Sequence, residues 1–170
     1  MNTVTQPLKD EHRDLIPHVE LLRTVGDLVG EVPPDSLLKG VDETLDFLTR
    51  HLLPHATAED EALYPVVNRL MGAPGVTATM SRDHAEVAKL TKELGLLQKR
   101  LDRGVFAAGD EKELRRVLYG LHAIVKLHFA KEEEIYLPLL EARLSPDDAE
   151  RMFLAMEAVA AEARPATLRT

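Results

Sequence analysis

His55-Ala-Thr-Ala-Glu59 and His128-Phe-Ala-Lys-Glu132 place an imidazole four residues before a carboxylate, twice in one chain and 73 residues apart. On a helix, residues i and i+4 lie one turn apart on the same face, so each pair presents one nitrogen and one oxygen donor side by side. The likeness extends downstream, where Tyr64-Pro65 and Leu137-Pro138 stand at the same offsets. It also extends upstream. KDEHRDL around His12 is similar to SRDHAEV around His84, with 43 residues from His12 to His55 and 44 from His84 to His128. Each half of the chain therefore reads as a helix with one histidine, a turn, and a helix with His-x-x-x-Glu.

His12, His55, Glu59, His84, His128 and Glu132 make four imidazoles and two carboxylates. Around the paired motifs the same face is apolar, with Leu52 and Leu63 on one helix and Ile124, Val125 and Ile135 on the other. A histidine and a glutamate buried singly in such stripes would lack partners, and burial without partners is costly. Pointing inward together, they suit two metal ions, each held by imidazole nitrogens and bridged by the carboxylates. The chain has no cysteine, so thiolate sites, disulfides and thiol catalysis are excluded. Imidazole with carboxylate suits iron, manganese or zinc.

Four long helical patterns must carry these residues. The first spans about 8–29, with Leu15, Val19, Leu22, Val25 and Val29 at spacings of three and four. Pro33-Pro34 closes it, and Asp35 or Ser36 can cap the second, over about 36–70, which Pro54 should kink or divide. After the break at Met71-Gly-Ala-Pro-Gly75, the third spans about 77–103. The fourth spans about 111–143, with Asp110 as its cap. Ser145-Pro146 then starts a shorter helix over about 146–163. Short connections favour antiparallel neighbours, so the expected fold is all-α, an up-down-up-down four-helix bundle with a short additional C-terminal helix. Residues 1–170 are read as one domain, with the bundle over about 8–143.

With these motifs the chain resembles the hemerythrin-like (HHE cation-binding) proteins over roughly residues 8–143. The resemblance implies that His12, His55, Glu59, His84, His128 and Glu132 hold two iron ions, a non-haem di-iron centre with an oxo or hydroxo bridge. Two departures separate it from the oxygen carriers of that group. Val87 and Ala88 stand where a second histidine follows His84, and where the carriers close with His-x4-Asp this chain has Glu133 at the last position, with Glu132 fitting a His-x3-Glu pattern better. The resemblance is thus to the wider bacterial group, whose members are linked to oxygen, peroxide, nitric oxide or iron.

Other residues near the motifs read less sharply. His51 precedes His55 by one turn, as an additional ligand, a supporting group or a histidine at the bundle end. His18 and His122 fall off the ligand faces and read as surface or groove residues. Tyr136, one turn after Glu132, reads as a core aromatic with its hydroxyl at a bundle end, or as a phenol that ligates metal or donates a hydrogen bond in the pocket. Tyr64, five after Glu59, falls off the face and should pack. Glu133 and Glu134 read as solvated surface.

Composition narrows the function classes. The net charge is −8 and no long basic run occurs, so nucleic acid is not an expected partner. No apolar window approaches the ~20 residues that span a bilayer, and the early segment is polar, so a cytoplasmic protein is expected. No glycine-rich nucleotide fingerprint supplies a hydride donor. The expected ligands are O2, H2O2 or NO, and no protein partner can be read from the sequence. Peroxide decomposition of the catalase type is the simplest enzymatic expectation, because peroxide is both oxidant and reductant. The alternative is a di-iron sensor of oxygen, nitric oxide or iron, or an iron store, without turnover.

Overall fold

The computed structural model describes residues 3–166, and among them regular structure is helical throughout. Five helices follow in chain order: α1 (Gln6–Leu28), α2 (Pro34 through Met71), α3 (Ala78–Asp102), α4 (Ala108 through Arg143) and α5 (Pro146–Ala163). The first four form the expected bundle, and α1 packs on α2, α2 on α3, α3 on α4, and α4 back on α1. None of these helices is long and apolar enough to cross a membrane.

Local chemistry sets the ends. Ser145 caps α5 through a 3.1 Å bond from the Asp148 N–H, with Pro146 at the first helical position. Gly72 ends α2 in the left-handed region at φ 67°, where a Cβ would be strained. Asp110 lies inside α4 rather than before it, and its carboxylate accepts a 2.9 Å bond from the Ala107 N–H at the helix start.

Pro54 neither ends nor divides α2. The helix passes through it by a π-turn over Leu48–Leu52, in which the Leu53 N–H bonds to the Leu48 carbonyl five residues back. The same device recurs at Glu59–Leu63, before Tyr64-Pro65, and at Glu132–Tyr136, before Leu137-Pro138. A proline ring crowds the carbonyl four residues behind it and has no N–H to offer. Widening the preceding turn relieves that crowding while the helix continues. Pro17, inside α1, is accommodated without such a turn.

Two apolar cores fill the bundle. The larger holds Leu15, Val19, Leu22, Phe47, Leu48, Val87, Leu94, Leu118, Val125 and Phe129 among others. The smaller holds Leu8, Ala58, Leu63, Met80, Leu137 and Leu140, closed over by Ala149, Met152 and Met156 of α5. On every bundle helix the chain crosses from one core to the other at a motif residue: His12 on α1, His55 and Glu59 on α2, His84 on α3, His128 and Glu132 on α4. The polar cluster is thus a layer between two greasy ones.

Candidate metal centre

The six sequence-marked side chains meet in this layer. All are buried, and His12, Glu59 and Glu132 have no exposed surface. Glu59 lies at the middle. Its Oε1 is 2.9 Å from His55 Nε2 and 3.8 Å from His12 Nε2, and its Oε2 is 3.2 Å from His84 Nε2 and 3.7 Å from His128 Nε2. Glu132 spans the same two pairs, with Oε2 3.4 Å from His12 Nε2 and Oε1 3.4 Å from His128 Nε2. Donor atoms therefore gather in two groups, His12–His55–Glu59–Glu132 and Glu59–His84–His128, sharing Glu59.

The donor atoms fit metal. Among the described residues, the buried side-chain atoms with no hydrogen-bond partner are Nδ1 and Nε2 of His12 and His55, both oxygens of Glu59, and Oε2 of Glu132. All belong to the cluster. Leaving such atoms unpaired in an apolar interior is expensive, and a cation is the partner that nitrogen lone pairs and carboxylate oxygens share. His84 Nε2 and His128 Nε2 stand 3.0 Å apart. Two nitrogens each ~2.1 Å from one ion and at right angles are separated by about that distance.

Electrostatics hold the cluster charged. Burial by itself would drive the His55 imidazole neutral, yet the adjoining Glu59 and Glu11 carboxylates prevail and keep it protonated well above its ordinary range. Burial opposes charge on His128 too, but the neighbouring Glu132 and Glu59 carboxylates raise it to about 10. Glu59 is the counterpart. Burial would raise it, and His55, His12 and His128 hold it well below the usual carboxylate range. In the metal-free protein, protons occupy positions that metal would take.

Tyr64 is the residue that sequence reasoning misplaced. Its hydroxyl donates a 2.7 Å bond to Glu132 Oε1 and lies 3.2 Å from His128 Nε2. A regular α-helix puts residue i+5 off the face of residue i. The π-turn over Glu59–Leu63, with the Tyr64 N–H bonded to the Glu59 carbonyl, sets Tyr64 above Glu59 instead. Proline after Tyr64 was the signal that could have found it. Burial, then the Glu59 and Glu132 carboxylates, push the phenol up, so it keeps its proton as a donor. Its counterpart in the second half is Leu137, so the two halves differ here.

The turn over Glu132–Tyr136 also corrects the placing of Ile135. Ile135, expected on the ligand face, is 56% exposed, because the turn over Glu132–Tyr136 rotates it outward. His51 is exposed, with the turn over Leu48–Leu52 between it and the ligand register. Tyr136 packs in the smaller core. His18 is exposed and stacks on Phe47, while His122 pairs with Glu20 at 3.2 Å. Glu133 is not merely solvated surface: its Oε1 is 3.4 Å from His12 Nδ1. Glu134 is exposed.

Two spaces adjoin the cluster. A small one of ≈ 10 Å³ lies against His55, Glu59, His84 and His128, walled by Leu52, Val87, Val125 and Phe129. A larger one of ≈ 260 Å³ lies under α5, between Leu8, Glu11 and His55 on one side and Phe153, Met156 and Glu157 on the other. The first has about the volume of one water-sized guest.

Neither the curated proteins nor the solved structures yield a match. The model of the hemerythrin HHE cation-binding domain matches residues 3–140, which spans all six cluster residues and leaves α5 outside. With a buried histidine–glutamate cluster that fits a metal site, on a four-helix bundle that the family match covers, the chain belongs to the hemerythrin HHE cation-binding family.

Proposed function

We propose that the protein holds two iron ions and acts on a small oxidant, with hydrogen peroxide decomposition as its reaction. The observation that carries this reading is Glu59, whose two oxygens face two separate histidine pairs. One carboxylate shared in this way suits two ions held close together. His12 and His55 would hold one, His84 and His128 the other, with Glu59 and Glu132 spanning both. When bound, a pair of redox-active ions supplies the electron-accepting and electron-donating chemistry that amino-acid side chains lack.

The chain's own residues set the conditions. Leu52, Val87, Val125 and Phe129 leave a space of about one water's volume against the cluster, which excludes large substrates. Tyr64 offers a hydroxyl proton within the layer, aimed at Glu132. Overall, two H2O2 become two H2O and one O2, a balanced reaction that needs no outside reductant. That suits a chain without a nucleotide-binding fingerprint.

A second reading, a sensor or iron store without turnover, is favoured by α5. This helix packs on the part of α2 that carries His55 and Glu59, although the family match does not include it. An element so placed can report the state of the centre to a partner.

The test is iron content and the optical spectrum of protein expressed in iron-replete medium, followed by oxygen release on adding peroxide. Two irons per chain with oxygen evolution support peroxide decomposition. Two irons without turnover favour sensing or storage. Zinc alone, or no metal, removes the iron chemistry.

A further inference from the structure

Each cluster histidine has two ring nitrogens, and the metal reading uses only Nε2. Nδ1 faces outward, and in all four cases it meets a carboxylate from a neighbouring helix. His84 Nδ1 is 2.9 Å from Asp60 Oδ2, and His128 Nδ1 is 3.2 Å from Asp83 Oδ2. His55 Nδ1 is 3.0 Å from Glu11 Oε1, and His12 Nδ1 is 3.4 Å from Glu133 Oε1.

The sequence positions of these acids follow a rule. Glu11 precedes His12, and Asp83 precedes His84. Asp60 follows Glu59, and Glu133 follows Glu132. Each acid is therefore next in sequence to one cluster residue while it touches the histidine of another helix. Glu11 of α1 reaches α2, Asp60 of α2 reaches α3, Asp83 of α3 reaches α4, and Glu133 of α4 returns to α1. None of these contacts is the i,i+4 pairing common on helix surfaces; all cross between helices.

We propose that Glu11, Asp60, Asp83 and Glu133 form a closed ring of positioning residues, each fixing the imidazole of the next helix with its Nε2 directed at the metal centre. The proposal rests on the metal-centre reading above. The physical reason is tautomer control. A carboxylate accepting from Nδ1–H holds that proton on the outer nitrogen, leaves the inner lone pair free for a cation, and locks the ring plane.

The ring is uneven. Asp60 and Asp83 accept hydrogen bonds from His84 and His128, and both are anchored in turn, Asp60 by the Ser81 hydroxyl and Asp83 by Lys131. His12 and His55 reach their acids at ion-pair distance, but their Nδ1 atoms complete no hydrogen bond. The His84–His128 half is thus preorganised and takes the first ion. The His12–His55 half closes around the second.

The test uses zinc(II), a redox-silent ion that the same donors accept. Zinc is titrated into metal-free full-length protein against a chromophoric chelator, for wild type, Asp60→Ala, Asp83→Ala, Asp60→Asn, Asp83→Asn and the control Glu134→Ala. Nitrogen-15 spectra of the zinc-loaded proteins report which ring nitrogen carries the proton. Wild type should bind two ions in resolved steps, with Nδ1 protonated in all four imidazoles. Each alanine variant should lose about 10–100-fold in the tighter step, and the asparagine variants, which keep an acceptor oxygen, should recover most of it. Glu134→Ala should match wild type. Alanine variants within twofold of wild type, or asparagine no better than alanine, overturn the ring while leaving the metal centre intact. Wild type that takes up neither zinc nor iron overturns both. The asparagine variants keep the shape and size of the side chain and remove only its charge, so they remain informative if an alanine variant does not fold.

Discussion

Tyr64 donates a 2.7 Å hydrogen bond to Glu132, joining α2 to α4 across the polar layer between residues 68 apart in sequence. The bond ends on a buried carboxylate, where hydrogen bonds are strongest. Tyr64→Phe keeps the ring and removes only the donor. Metal-free Tyr64→Phe should be less stable by about 1.5–3 kcal/mol in urea denaturation. An unchanged midpoint and slope would show that the bond contributes nothing in solution.

The charged state of the metal-free cluster makes stability depend on pH in a definite direction. His55 and His128 have folded pKa values above those of the unfolded chain, His128 at about 10. A group raised in this way stabilises fully below its unfolded value of ~6.5, and that contribution disappears as pH rises through the folded value. Metal-free protein should therefore lose stability steadily from about pH 6.5 to pH 10. Thermal melts at several pH values in that window, with chelator present, check it. A flat profile would contradict the pairing with Glu59 and Glu132.

Protons held by the metal-free cluster must leave when metal enters. Binding at pH 7.5 should release protons, with His55 and His128 as the source. Calorimetric titration of zinc(II) in two buffers of different ionisation enthalpy measures the number released. Equal heats in both buffers would mean that these imidazoles are already neutral.

Glu59 and Glu132 should differ in weight. Glu59 touches all four histidines, whereas Glu132 touches His12 and His128 and also holds Tyr64. Glu59→Ala should therefore abolish loading of both ions, Glu132→Ala should weaken it, and the double variant should bind none. Metal content after gel filtration reads the order. A chelator should lower the melting temperature of wild type and leave the double variant unchanged, because only a chain that binds metal gains stability from it. A double variant with full metal content would refute the ligand set.

Glycines in the helices separate packing from propensity. A Cβ at Gly95 or Gly120 would meet only ordinary contacts, 4.0 Å from Leu45 and 3.5 Å from Leu90. Gly95→Ala and Gly120→Ala should each stabilise by about 0.5–1 kcal/mol. At Gly26 a Cβ would stand 2.7 Å from the Tyr119 ring, which is held by a bond from its hydroxyl to Asp27. Gly26→Ala should fall short of that gain or reverse it. Denaturation midpoints of the three variants decide.

Much of this protein is written locally. Apolar spacing of three and four gave α1 its buried face, and Ser145-Pro146 gave α5 its start, because helix periodicity and capping depend on residues a turn away. The two His-x-x-x-Glu motifs and their matched upstream histidines located the cluster for the same reason: four residues is one helical turn wherever the helix lies. Three things needed the tertiary structure. A proline's clash can be relieved by a break, a kink or a wider turn, and only packing on both sides of α2 and α4 selects the π-turn that brings Tyr64 in and turns Ile135 out. The partners of Nδ1 lie on other helices, so the ring of Glu11, Asp60, Asp83 and Glu133 depends on which helices are neighbours. Lastly, the difference between the halves, two hydrogen-bonded imidazoles against two without such bonds, arises from side-chain angles that no periodicity encodes.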